Sequence, residues 1–367
     1  MNQIFTALAI FYFINGLYYL YGIILLLMKA RTDKDITIID YPFVSVIVPM
    51  RNEADNIRNC LNYLIDQDYP EDRFEVIPVN DASDDETEEI LNNISENNMQ
   101  VKPVHISSRS RNNKGKNNAI DKGIAVSTGE FIITTDADVW MGPRWLSRVV
   151  RTFENHTGLV IGLTLDEFSG KPVHAFQALD SGCIAVIAAA LSEMKFPITC
   201  QGANMAFRRS AYNEVRDRVL WLSVNSGNHE WQMQEIDIST DWSIKSLANP
   251  ESFVYTHPPN TWKALLNQRT RWASTGTDYT KLSVRCYLTL IYLSLLSFIL
   301  GLWFLTPGYL ALMWGVKLFI DIPVALLVAR VMHQPKLILA FPLVYILQPF
   351  IVVITTFLGT LRLYRWK

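Results

Sequence analysis

Apolar residues crowd the two ends of the chain, while short apolar runs alternate with polar clusters in its middle. Residues 4–28 (IFTALAIFYFINGLYYLYGIILLLM) carry no charge and are long enough to cross a bilayer as a helix. The run is longer than the core of a signal peptide and lacks a small-residue cleavage site, so it reads as a retained anchor. Near the other end, residues 286–305, 309–328 and 337–361 are three further candidate spans. The second of these carries Lys317 and Asp321, four residues apart on one helical face, where they can pair or face a protein interior. The third holds Pro342 and Pro349 and reads as one kinked span or as a re-entrant hairpin.

Between these ends the pattern is that of a soluble domain. FVSVIV at 43–48 is nearly all apolar, the mark of a strand buried on both faces of a parallel sheet. Further strands are predicted over 74–79, 101–106 and 130–135, with helices following MRNEADN and over 88–98 and 118–126. Strand alternating with helix means an α/β domain with a mostly parallel sheet. Ligands of such sheets bind beyond the carboxyl ends of the strands. The polar clusters MRNE, NDASDD and DAD all fall at such ends, which predicts one shared crevice.

Composition narrows the function. The net charge of −2 over 367 residues lacks the basic excess of a nucleic-acid binder, so no nucleic acid partner is expected. Cys60, Cys183, Cys200 and Cys286 are scattered and suggest neither a zinc site nor a disulfide framework. Basic residues set the orientation. Lys29, Arg31 and Lys34 after the anchor, and Lys263, Arg269, Arg271, Lys281 and Arg285 before the second span, place the middle domain in the cytoplasm. The basic tail LRLYRWK would land outside after three simple further spans, against the same rule, which favours a re-entrant fourth segment.

Asp136 and Asp138 end the run FIITTDADVW one residue apart, so they point to the same side of an extended chain. Two such carboxylates repel each other, and several acids sharing a cleft need a cation or a hydrogen-bonding ligand. A nucleotide diphosphate with a divalent metal supplies both, because hard cations take carboxylate and phosphate oxygens. The segments VSVIVPMRNEADNI, VNDASDDET, NKGKNNAIDKGI, FIITTDADVWMGPRWL, CQGANMAFRR and NQRTRW together resemble the processive-type family 2 glycosyltransferases. These are membrane-anchored enzymes with a GT-A catalytic domain.

The resemblance implies an anchor over 1–30, a GT-A domain over 40–280 that includes an interfacial helix, and a membrane region of two to three spans over 286–367. It implies roles position by position. Glu53 would lie near the nucleotide base or ribose, Asp81 would bind the uracil ring, and Lys116 would lie near the nucleotide. Asp138 would hold Mg2+ or Mn2+, with Asp136 on the ribose or a metal-bound water. Gly202 would let backbone approach a sugar closely. In the Q-x-x-R-W motif, Gln268 and Arg271 would face the donor diphosphate and Trp272 the acceptor sugar.

One departure stands out. An inverting transfer needs a base for the acceptor hydroxyl, and the family's catalytic Asp falls on His229 in SGNHEW. His229, Glu230 beside it, or a lost base are the three readings, with Asp237 and Asp241 as weaker matches and His257 as a structural residue or a metal contact. The resemblance implies transfer from a nucleotide diphosphate sugar, UDP-linked, to a lipid-linked or polysaccharide acceptor in a bacterial inner membrane. It leaves room for membrane lipid and for protein partners in a glycan synthesis complex. The alternatives are a donor-binding membrane subunit with impaired catalysis and a transporter. The transporter reading leaves the D-x-D motif without a purpose.

Overall fold

A computed structural model describes residues 2–32, 40–107, 115–222, 228–276 and 279–364. Two compact units divide the chain: Met28–Leu165 with Ser192–His257, and Met1–Leu27 with Asp166–Leu191 and Pro258–Lys367.

Along the chain, the apolar run forms helix α1 (Asn2–Thr32), then β1 (Val44–Met50), α2 (Ala54–Ile65), β2 (Phe74–Asp81), α3 (Thr87–Asn97), β3 (Val104–Ile106), α4 (Gly115–Val126) and β4 (Phe131–Thr134). Next come β5 (Val139–Met141), α5 (Trp145–Arg151), β6 (Thr157–Gly162), β7 (Thr164–Asp166), α6 (Pro172–Glu193), β8 (Met205–Arg208), α7 (Arg209–Leu222) and α8 (Asn228–Ser239). The chain closes with β9 (Ser243–Leu247), β10 (Val254–Thr256), α9 (Trp262–Ala273), α10 (Leu282–Phe304), α11 (Pro307–Val331) and α12 (Phe341–Thr360).

The α/β unit is built on a seven-stranded sheet in the order β3-β2-β1-β4-β8-β6-β9. β1 pairs in parallel with both β2 and β4, and β8 runs antiparallel to β4 and β6. Every residue of β1 and β2 is buried, because both sheet faces are covered. Val44, Val46 and Val48 join Ile57 and Leu61 of α2 on one face, while Ile47, Ile77 and Val79 join Ala119 and Ile124 of α4 on the other. The registers Met50↔Asn80 and Ile47↔Thr134 bring the ends of β1, β2 and β4 to one edge of the sheet. That edge is where the sequence places MRNE, NDASDD and DAD. A second sheet, in the order β5-β10-β7, follows directly from the acidic pair.

In the helical unit, α1, α6, α10, α11 and residues 335–360 around α12 are each long and apolar enough to cross a membrane. α6 was not anticipated, and it differs from the others. Its apolar stretch is 78% buried, whereas the other four bury 22–33% of theirs. Burial inside protein explains how α6 tolerates Asp180 along its length. Lys317 is buried and pairs with Asp321, as their spacing predicts, and Tyr12 donates to Asp321 at 2.6 Å. The fourth segment contains no helical hairpin. A short 3-10 turn (Pro335–Ala340) leads into α12 as one helix, with Pro342 in its first turn and Pro349 inside it. A Cβ on Gly359, near its end, would lie 2.7 Å from the carbonyl oxygen of Thr270 and 2.9 Å from the backbone nitrogen of Ser274. Glycine therefore lets the end of α12 sit directly on the end of α9.

Candidate active site

Three loops meet at the carboxyl edge of β2, β1 and β4. After β1, Asn52 adopts a positive φ of 56°, and after β2, Ala82 does so at 52°. The left-handed region costs a non-glycine residue about 1–2 kcal/mol, so surrounding contacts must hold these turns. They do so mutually. Asn52 N–H donates to Ser83 Oγ at 2.9 Å, and Asp84 N–H donates back to Asn52 Oδ1 at 3.0 Å. Glu53 stands at the residue before α2 without a side-chain capping bond; Asn56 Nδ2 donates to its Oε2 at 2.7 Å and its own N–H donates to Thr87 Oγ1 at 3.0 Å.

Asp81 is 5% exposed, and its Oδ1 has no hydrogen-bond partner among the described residues. Burial raises its pKa, with Arg51 opposing the shift. A buried carboxylate oxygen left without a donor is costly. It fits a ligand N–H such as the imide of a pyrimidine base.

The acidic pair follows β4. Ala137 and Val139 are buried while Asp136 and Asp138 are half-buried, so the alternation of the chain aims both acids away from the core. Lys116, in the first turn of α4, donates to Asp136 Oδ1 at 2.5 Å. Part of the loop before it, residues 112–114, lies outside the described residues. Among the described residues no cluster of three or more His, Cys, Asp or Glu forms a cage for a metal. Two hard carboxylates on one side suit Mg2+ or Mn2+, which retain positions for diphosphate and water oxygens.

The floor beside the acids is the Gly202–Asn204 turn. Thr134 Oγ1 donates to the carbonyl of Gly202 at 2.8 Å, and Thr135 Oγ1 to that of Ala203 at 2.9 Å. Asn204 is locked by Trp145 Nε1, Leu163 O and Ser252 O. A Cβ on Gly202 would come within 2.9 Å of His229 Nδ1, so the imidazole stands directly over this glycine. Glu230, in the first turn of α8, accepts a hydrogen bond from Thr199 Oγ1. His229 therefore neighbours the turn that β4 supports, and Glu230 is bonded to Thr199 in the segment leading into it. Asp237 falls in the last turn of α8 and Asp241 beyond it, two to three turns along from His229. Ser226 and Gly227 of SGNHEW lie outside the described residues.

An aromatic group was not anticipated. Trp140, two residues past Asp138, stacks on Tyr255 with centroids 6.0 Å apart and lies 4.7 Å from His257. Its signal was available in the period of two that sends Asp136, Asp138 and Trp140 the same way.

Gln268, Arg271 and Trp272 lie in the helical unit, on α9. Thr261 caps this helix by accepting from Ala264 N–H at 3.2 Å. Gln268 Oε1 accepts from Gln177 of α6 at 3.3 Å. Trp272 is 38% exposed, and the guanidinium of Arg269 lies over its ring.

The chain resembles known proteins in both sequence and fold. The protein named "Probable glycosyltransferase YdaM" from Bacillus subtilis (strain 168) is 30% identical over 264 residues, covering 66% of this chain and 57% of that protein. A poly-beta-1,6-N-acetyl-D-glucosamine synthase from Staphylococcus epidermidis is 24% identical over 243 residues, covering 64% of this chain and 55% of that one. The chain thus spans a little over half the length of these two relatives. Among solved structures, the mannosyltransferase PcManGT from Pyrobaculum calidifontis, in complex with GDP-Man and Mn2+, superposes with a TM-score of 0.57 at 19% identity. That match covers 92% of this chain and 98% of PcManGT, and it bears out the GT-A fold with its mostly parallel sheet. The family model described as Glycosyl transferase family 2 matches residues 45–216, which include Glu53, Asp81, Lys116, the D-x-D pair and Gly202, so over these residues the chain is similar to that family.

Proposed function

We propose that the protein is a membrane-bound, inverting glycosyltransferase that moves a sugar from a UDP-linked donor to a lipid-linked or polysaccharide acceptor. One observation carries the reading. The buried, unpartnered Oδ1 of Asp81 lies on the same sheet edge as the paired acids Asp136 and Asp138. A base at one end and a diphosphate at the other satisfy both. The resemblance of residues 43–280 to family 2 enzymes supplies the remaining roles, and the poly-beta-1,6-N-acetyl-D-glucosamine synthase from Staphylococcus epidermidis supports a polysaccharide as the product.

In this reading Asp81 accepts from the uracil imide, Glu53 lies by the base or ribose, and Lys116 turns from Asp136 to the nucleotide. Gln268 and Arg271 hold the diphosphate, Arg271 with its planar fork of donors. Asp138 and Asp136 would hold Mg2+ or Mn2+, which would supply positive charge beside the departing diphosphate. The acceptor hydroxyl oxygen bonds to the anomeric carbon as the bond from that carbon to the diphosphate oxygen breaks. The hydroxyl proton passes to Glu230, which Thr199 orients, while His229 shapes the sugar site above Gly202. Trp272 offers its exposed face to the acceptor sugar.

The catalytic region is taken as residues 40–280, with the anchor before it and the membrane region 286–367 after it, in the inner membrane and facing the cytoplasm. The basic residues around α1 and before α10 support that orientation. The contact of Gly359 with Thr270 and Ser274 sets the end of α12 on the end of α9, which supports a C-terminal tail on the side of α9.

Calorimetric titration of the detergent-purified protein with UDP and with GDP, with and without Mn2+, tests the donor reading. UDP should bind only with the metal, and more tightly than GDP. Because burial raises the pKa of Asp81, affinity should fall on acidification at a higher pH than an ordinary carboxylate would give. Protonation removes the acceptor that the imide needs. Equal binding of both nucleotides without metal would contradict the reading.

A further inference from the structure

A buried polar chain runs from α6 to the exposed ring of Trp272, all within one compact unit. Asp180 and Arg269 are each more than nine-tenths buried, and Arg269 Nη2 lies 2.7 Å from Asp180 Oδ2. The same nitrogen donates to Gln177 Oε1 at 2.9 Å. Gln177 Nε2 donates in turn to Asp166 Oδ2 at 3.1 Å and to Gln268 Oε1 at 3.3 Å, and Ser181 Oγ also donates to Asp166 Oδ2. The guanidinium carbon of Arg269 sits 4.7 Å from the centroid of the Trp272 ring.

Stability alone accounts poorly for this arrangement. Desolvating an ion pair can cost more than its attraction returns, and an apolar pair of similar size often serves as well. Nor is the network fully satisfied, since Arg269 Nε and Nη1 have no hydrogen-bond partner among the described residues. What the arrangement does provide is a guanidinium with a fixed plane, which an ammonium lacks. A cation held over an aromatic face fixes the ring in turn. Two residues of the Q-x-x-R-W helix, Gln268 and Arg269, thus take their setting from a single side chain of α6, Gln177.

We propose that Asp180 and Gln177 are positioning residues for the acceptor subsite: they lock the Arg269 guanidinium, which holds the Trp272 indole at the angle for stacking on the acceptor sugar. The inference rests on the reading that Trp272 meets the acceptor, and its test separates the two. The full-length enzyme is labelled with 5-fluorotryptophan, and the Trp272 fluorine resonance, one of ten, is assigned by its loss in Trp272→Ala. Asp180→Asn should move or broaden that resonance while leaving most others in place. It should also raise the acceptor KM about fivefold or more with the donor KM unchanged. Arg269→Lys should do the same while keeping a charge opposite Asp180, and it is the variant to use if Asp180→Asn does not fold.

A Trp272 resonance unmoved in a folded variant overturns the proposal, whatever the acceptor KM does. A moved resonance with an acceptor KM indifferent to these changes and to Trp272→Ala overturns the acceptor role of Trp272, and with it the functional half of the proposal. A merely structural role for Asp180 would lower yield or thermal stability without a selective change in acceptor KM.

Discussion

Asp138→Asn should abolish metal-dependent donor binding and lower kcat/KM by about a thousandfold, the scale of losing a main electrostatic stabiliser of the leaving group. The substitution keeps the size and polarity of the side chain and removes only its charge. Asp138 is half-buried at a loop, so the fold should persist, with an unchanged melting temperature. The readouts are Mn2+ titration of UDP affinity and the rate of UDP release. Asp136→Asn should cost less, because Asp136 is already paired with Lys116 and serves the ribose or a metal-bound water in this account. A variant at Asp138 that still binds UDP with the same metal dependence would remove the acid from the metal site.

Glu230→Gln should lower kcat by about 10²–10⁴-fold, the usual contribution of a general base, while leaving UDP affinity intact. Glutamine can still accept from Thr199, so the local hydrogen bond survives and only the proton acceptor is lost. His229→Asn should cost less than about tenfold in kcat, acting through the shape of the sugar site above Gly202. The reverse order of effects would move the base to the imidazole. Full activity in both variants would exclude the first turn of α8 as the source of the base.

The parts of the fold that position the site were legible because a buried parallel strand is apolar almost throughout. β1 and β2 begin within a residue of the expected positions, and β2 runs on through Asn80 and Asp81 because their backbones pair with β3. The third strand is shorter than expected, with Val101 making only an isolated bridge to Val76. Strands β6 and β8 were not read. β8 has only four residues, whereas β6 (TGLVIG) is six residues long and buried throughout. α6 was missed too. Gln177, Asp180 and Ser181 interrupt its apolar pattern, and their partners Asp166, Gln268 and Arg269 lie far from α6 in sequence or outside it. No local window records that a charge is buried against a distant partner.

The strand-end acids were legible from topology, since parallel strands put their carboxyl ends on one edge. Glu53, Asp81 and the D-x-D pair all stand on that edge. The sequence left His229 and Glu230 unresolved because a shift of one residue exchanges them. The structure adds the contacts that distinguish them, a ring over Gly202 for one and a hydroxyl partner for the other. Trp140 went unremarked although it shares the period of the two acids. The proline-broken fourth segment was ambiguous for a physical reason. Proline is tolerated in the first turn of a helix and as a kink within a long apolar one, so its presence marks neither an end nor a hairpin.

The most direct test is turnover. Detergent-purified protein with Mn2+ is given a panel of UDP- and GDP-sugars, with and without membrane lipid extract, and release of the nucleoside diphosphate is followed. Release from a UDP-sugar is expected, dependent on the metal, stimulated by the extract and lost in Asp138→Asn. Donor that binds but is never released under any of these conditions, while His229→Asp alone restores release, would contradict it. The chain would then be a donor-binding subunit that lacks a working base.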